Sequence, residues 1–205
     1  MPLPMVHLAI AQKMKTILPK HYNRGEIYLG SIAPDAIHIR EGFVREYKYI
    51  THLKYGHDGD VIKRLLEKNN GLMDSFHLGY LMHVFTDMLW LEEVFRPFLA
   101  SLPEGSSDRE RNRIYYGEMR QLDHELYAQS PWCNAVFASM KSAKIPQEFS
   151  LLSAHEMKKW RDQTILCLQR EKTKEKKPLS CFSQKMISDF IDKAIADIQS
   201  KLPIL

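Results

Sequence analysis

The chain has 205 residues, of which 44% are hydrophobic and 26% charged, a balance that argues against a disordered polypeptide and suffices for one substantial core. Its 29 lysines and arginines stand against 25 acids, a formal charge of +4; so small an excess, interspersed with acids, does not specify a nucleic-acid partner. Cys133, Cys167 and Cys181 are widely spaced and form no paired-cysteine motif, which argues against a disulfide framework or a zinc knuckle and for reduced thiols.

The first residues, "MPLPMVHLAIAQKMKTILPK", lack a basic stretch followed by an uninterrupted apolar run and a small-residue cleavage site. No other segment is long and apolar enough to span a bilayer, so the expected location is the cytoplasm. The same residues predict a helix from about Pro4 to Leu18, because His7, Ala11, Met14 and Leu18 recur at spacings of three or four and share one face. Pro19 ends it. The glycines and proline of "HYNRGEIYLGSIAPDAIHIR" then read as a nonhelical connection with Asp35 at a turn. The stretch "EGFVREYKYITHL" restarts a helix bearing His52, with extended structure as the alternative.

A short amphipathic helix is expected from Asp60 to Glu67, stopped by Asn69, Asn70 and Gly71. A longer one runs from about Asp74 to Phe95 and is ended by Pro97 and "LPEGSSD". Further helices are expected over Arg109–Ala128 and over 133–142, 148–170 and 180–200. The charged run "REKTKEKKP" before the last one contains no aromatic residue and reads as a solvated connection. Strand alternation is poor throughout. The expectation is an all-α, single-domain, multi-helix bundle over residues 1–205.

Within the long helix, "GYLMHVFTD" places His83 four residues before Asp87. Four residues advance about one helical turn, so both side chains lie on one face and can approach one ion from neighbouring levels. Neutral imidazole and carboxylate suit Zn²⁺ and also iron, manganese or cobalt. The same pair also suits a core histidine donating to a backbone carbonyl beside a hydrogen-bonded acid. His7, Asp35 and His52 stand in similarly apolar surroundings. Burying three imidazoles and two carboxylates without compensation is costly, whereas one or two ions would turn that cost into folding energy. His38 follows Asp35 by three residues and is a candidate supporting ligand, while His77 lies on another face of the helix from His83.

Taken in order, "MPLPMVHLAIAQKM", "YLGSIAPDAIH", "YKYITHL" and "SFHLGYLMHVFTDMLW", with "YYGEMRQLDHEL" less specifically, resemble the zinc-dependent phospholipase C family, within the helical grouping that includes the P1-type nucleases. The resemblance covers roughly the first 130 residues. It implies a metal cluster inside a helical fold, with Asp35, His52, His83 and Asp87 around one ion, and His7 with a shared Asp87 or Asp35 at another. It also implies metal-dependent hydrolysis of a phosphate ester, a phosphodiester or phospholipid, with Asp35 bridging ions or orienting the attacking water. Arg40 and Lys54 are candidate phosphate contacts. The alternative is a metal-stabilised helical protein without efficient turnover.

The family's three-zinc members use an N-terminal tryptophan amine and a later set of two histidines and a glutamate; here the chain begins "MPLPM" and the later region reads "MLWLEEVFRPFLA". Glu93, or Asp123, His124 or Glu125 from the next helix, are the candidate replacements, and one or two ions are expected in place of three. No "GxSxG" elbow, "HExxH" helix or phosphate-cradling P-loop is present.

Overall fold

The computed structural model describes residues 1–53, 58–67, 73–170 and 178–202, and among them every regular element is helical. The α-helices are α1 (Pro4–Met14), α2 (Arg24–Ile32), α3 (Arg45–Thr51), α4 (Asp58–Glu67), α5 (Ser75–Trp90), α6 (Arg96–Ser101), α7 (Asp108–Ala128), α8 (Cys133–Ser142), α9 (Ala154–Arg170) and α10 (Gln184–Lys201). A 3₁₀ segment, Ala33–Ile39, extends α2, and a π-helical turn, Leu91–Phe95, joins α5 to α6. The protein is thus an all-α multi-helix bundle. Its helices share one hydrophobic cluster that draws on both ends of the chain, from Met5 in α1 to Ile198 in α10.

At the centre lies α5. Its sequence "SFHLGYLMHVFTDMLW" is apolar on every side, and all but Met88 and Leu89 are buried, as expected of a helix surrounded by others. Asp74 starts it by accepting the His77 amide. The neighbour packed against it most extensively is α2.

That contact corrects the reading of residues 21–40 as a nonhelical connection. Arg24–Ile32 is α-helical, with the Asn23 side chain capping its first turn by accepting from Glu26 N. The glycines are points of close approach here. A Cβ at Gly30 would lie 2.1 Å from the Phe76 carbonyl oxygen, and one at Gly79 would lie 2.1 Å from that of Ile27. The two backbones therefore meet at a depth that no side chain permits, and the burial so gained outweighs the propensity cost of glycine.

Two other boundaries move. The long helix does not end at Pro97: after the π-helical turn, Pro97 sits in the first turn of α6, where a missing amide donor costs nothing. The ninth helix begins at Ala154 instead of 148. Ser153 Oγ accepts from the Glu156 amide, and the Glu156 carboxylate accepts from Ser153 N at 2.7 Å and from its hydroxyl at 2.9 Å, a reciprocal cap that sets the start. The first helix is also shorter than expected, closing at Met14 before a turn that carries Leu18 back to the core.

Candidate metal centre

Four elements bring the chemistry together. The centre of α1 supplies His7, the 3₁₀ segment supplies Asp35, the residue capping the C-terminus of α3 is His52, and α5 supplies His83 and Asp87. His7, His52, His83 and Asp87 are 2%, 1%, 1% and 1% exposed, which puts polar groups in the least accessible part of the bundle.

His83 is oriented from behind. Its Nδ1 lies 2.9 Å from the Ser31 carbonyl oxygen; a carbonyl only accepts, so Nδ1 carries the proton and Nε2 presents its lone pair. Ser31 directly follows Gly30, so the close crossing of α2 and α5 sets this contact. The Nε2 of His83 lies 3.4 Å from the Nε2 of His52 and 3.9 Å from Asp87 Oδ2. The His52 Nε2 in turn lies 3.4 Å from Asp87 Oδ2 and 3.3 Å from Asp35 Oδ1. The His7 ring stacks on His83, with centroids 3.9 Å apart and planes 9° from parallel, and its Nε2 is 3.7 Å from Asp87 Oδ1.

These atoms resolve into two groups of mutually close donors, His7, His83 and Asp87, and Asp35, His52 and His83. Neither nitrogen of His7 and neither oxygen of Asp87 makes a hydrogen bond, although all four atoms are buried. Buried carboxylate oxygens without donors carry a desolvation cost that a cation offsets. The donor set of imidazole nitrogen and carboxylate oxygen therefore fits one or two zinc or similar transition-metal ions.

Two residues that the sequence did not single out complete the surroundings. Lys48 Nζ lies 3.2 Å from Asp35 Oδ1; it stands one turn before His52 in "KYITH", the spacing that marks a shared helix face. Tyr80, buried on α5, donates its hydroxyl to the Thr51 carbonyl and ties the end of α3 to the central helix. Nothing local distinguishes this tyrosine from an ordinary core residue.

Burial pushes the Asp35 carboxyl up, but Lys48, the His52 hydrogen bond and the neighbouring imidazoles outweigh it and hold the group well below the usual carboxylate range. Burial is the main cause that lowers His7, with His83 adding to it, and it lowers His52 against the pull of Asp35 and Asp87. Both imidazoles thus favour the neutral form that binds metal. Lys48 is raised: burial works against its charge, but Asp35 and Asp87 prevail.

Other candidates lie elsewhere. His38 Nε2 reaches Asp35 Oδ1 at 3.7 Å, and its ring, between Phe43 and Trp160, joins neither donor group. Glu93, a candidate replacement ligand, pairs instead with Lys193 of α10. Asp123 accepts the Met5 amide at 2.9 Å and so caps the start of α1, where burial pushes its carboxyl up to about 7. His124 is half-buried on α7 and stands in neither group. His77 bonds Asp74 at 2.7 Å at the head of α5. The Arg40 guanidinium is taken up by Glu156, at 2.7 Å, and by the Leu151 carbonyl, so it braces the 3₁₀ segment against α9. Lys54 lies outside the described residues.

A bundle that gathers imidazoles and under-bonded carboxylate oxygens at one buried point has the construction of a metal-dependent hydrolase. The family model for zinc dependent phospholipase C matches residues 6–128, more than half of the chain, and the protein belongs to that family. All five residues of the cluster fall inside the matched span. No curated protein and no solved structure matches the chain.

Proposed function

We propose that the protein hydrolyses a phosphate ester, a phosphodiester or a phospholipid headgroup bond, by metal-activated water. One observation carries this reading: the group formed by Asp35, His52 and His83 is not closed. Its two histidine side chains are at 0% exposure, whereas that of Asp35 is at 13% and the Lys48 beside it at 23%. The donor set is therefore least covered on the Asp35 side, where an open position of the kind that separates catalytic from structural metal sites would lie.

Asp35, His52 and His83, with Asp87 beside them, would hold one ion, and His7 with Asp87 would hold a second. A bound zinc or similar ion lowers the pKa of water toward neutrality and neutralises charge on phosphoryl oxygens. Asp35, anionic and at the rim, accepts a hydrogen bond from the attacking water and fixes its direction. His83 is held by Ser31 so that one nitrogen alone faces the site, and the apolar helices α1 and α5 exclude water from the far side.

A second reading rests on the other group. His7, His83 and Asp87 are all buried, as in a closed structural site, so an ion there would stabilise the bundle without turnover. Metal analysis of protein purified without chelator, combined with assays on phosphomonoester, phosphodiester and phospholipid substrates, separates the two. The hydrolase reading expects bound metal and turnover of at least one substrate class, both lost in His83→Ala and Asp87→Ala. Metal bound tightly with no turnover on any of the three would leave the structural reading standing.

A further inference from the structure

Lys48 is the cation at the rim of the cluster. It occupies the middle of α3, its ammonium 3.2 Å from Asp35 Oδ1, with its side chain buried except for 23% of its surface. The basic candidate on the preceding segment, Arg40, is committed to Glu156 and Leu151. The imidazoles and Asp87 lie deeper, so an anion entering from solvent meets Lys48 and Asp35 before the rest of the cluster.

We infer that Lys48 is the residue that recognises the phosphoryl anion at the mouth of the metal centre, holding one nonreacting oxygen of the ligand. The inference rests on the proposed metal-dependent hydrolase and deepens it. Asp35 takes one of the three N–H donors of the Lys48 ammonium through a single oxygen, which leaves two, and an ammonium is a compact point charge suited to a phosphate oxygen. An ion held by Asp35 would draw on the same carboxylate charge and leave the Lys48 ammonium available to an incoming anion. A fixed side-chain cation beside Asp35 supplies positive charge on the more exposed side of the cluster. Lys48 makes no contact with the histidines among the described bonds, so its role is to position the ligand.

The test is calorimetric titration of zinc-loaded protein with inorganic phosphate, with zinc content measured on the same samples. Lys48→Gln is expected to weaken phosphate binding about tenfold or more while keeping its zinc, and Lys48→Arg to recover most of the affinity. Two further arms, dimethyl phosphate in solution and phosphatidylcholine vesicles, tell a soluble diester from a lipid headgroup, and the Lys48→Gln loss is expected in whichever arm binds. With a turned-over substrate, the variant raises KM more than it lowers kcat. The inference is overturned if zinc-loaded wild type binds no phosphate, if Lys48→Gln binds it as wild type does, or if Lys48→Gln loses its zinc. Lys48-dependent phosphate binding without turnover of any substrate would defeat the hydrolase reading and leave this one intact.

Discussion

Asp87 is the side chain whose surroundings the protein itself explains least. Both oxygens are buried without a hydrogen bond, and its nearest partners are imidazole nitrogens at 3.4 to 3.9 Å. An uncompensated buried carboxylate is a stability cost accepted for a site. Asp87→Asn is therefore expected to melt no lower than wild type in chelator but clearly lower in zinc, a crossing that differential scanning calorimetry reads directly. If the variant were the less stable protein in both buffers, by the same margin, Asp87 would be structural. Asp123 makes a prediction of the opposite kind. Its folded-state value of about 7 lies above that of an unfolded aspartate, so the folded state binds the extra proton between roughly pH 4 and 7. Stability from this group is full below about pH 4 and is lost as pH rises through about 7. Between pH 5 and pH 8 the balance between Asp123→Asn and wild type should move in favour of the variant by about 2 kcal/mol, measured by denaturant unfolding at each pH.

At the scale of elements, the crossing of α2 and α5 sets both the packing and the site. Gly30 and Gly79 let the backbones meet, and the contact places the Ser31 carbonyl 2.9 Å from His83 Nδ1. Gly30→Ala forces a Cβ against the Phe76 carbonyl, and backbone cannot yield as a flexible side chain can. A loss of roughly 1–3 kcal/mol or more is expected, together with weaker zinc retention as the imidazole loses its fixed orientation. Gly117, also helical but with open space where its Cβ would go, is the control: Gly117→Ala should raise stability by about 0.5–1 kcal/mol and leave zinc content unchanged. Equal effects from the two alanines would remove the crossing from the account of the site. The same glycines explain why residues 24–32 read as a connection. Glycine in a lone sequence signals a turn by default, and its use as a helix contact appears only once its partner helix is present.

At the scale of the molecule, a metal held by the cluster would be a crosslink among α1, the 3₁₀ segment, α3 and α5. Anything that binds the folded state alone stabilises it in proportion to the logarithm of its saturation, about 3–4 kcal/mol at a hundred to a thousand times the dissociation constant. Removing the metal with chelator is expected to lower the melting midpoint by on the order of 10 °C, since each kcal/mol is worth about 2–4 °C in a domain of this size. Added zinc should restore it. An unchanged midpoint, with metal absent before and after, would show that the buried cluster folds without an ion. Acid acts in the same direction: His7 and His52 are lowered by burial in the folded state, so the unfolded chain takes up protons first. Their contribution is present above about pH 6.5 and is lost as pH falls below it.

The sequence by itself determined the helical class, most of the helices and the five residues that meet. Period and apolar surroundings are local properties, and they suffice to single out His7, Asp35, His52, His83 and Asp87 as candidates. What the tertiary structure decided is how those residues divide. The fully buried group around His7 and the partly buried one around Asp35 share His83, Lys48 stands beside Asp35, and Arg40, Glu93 and Asp123 are spent on a brace, an ion pair and a helix cap. The brace, the ion pair and the cap each depend on a partner between 100 and 118 positions away, as with Asp123 and Met5, and the position of Lys48 depends on relative burial. Residue type and local spacing do not encode such distances, and only the packing of helices creates them.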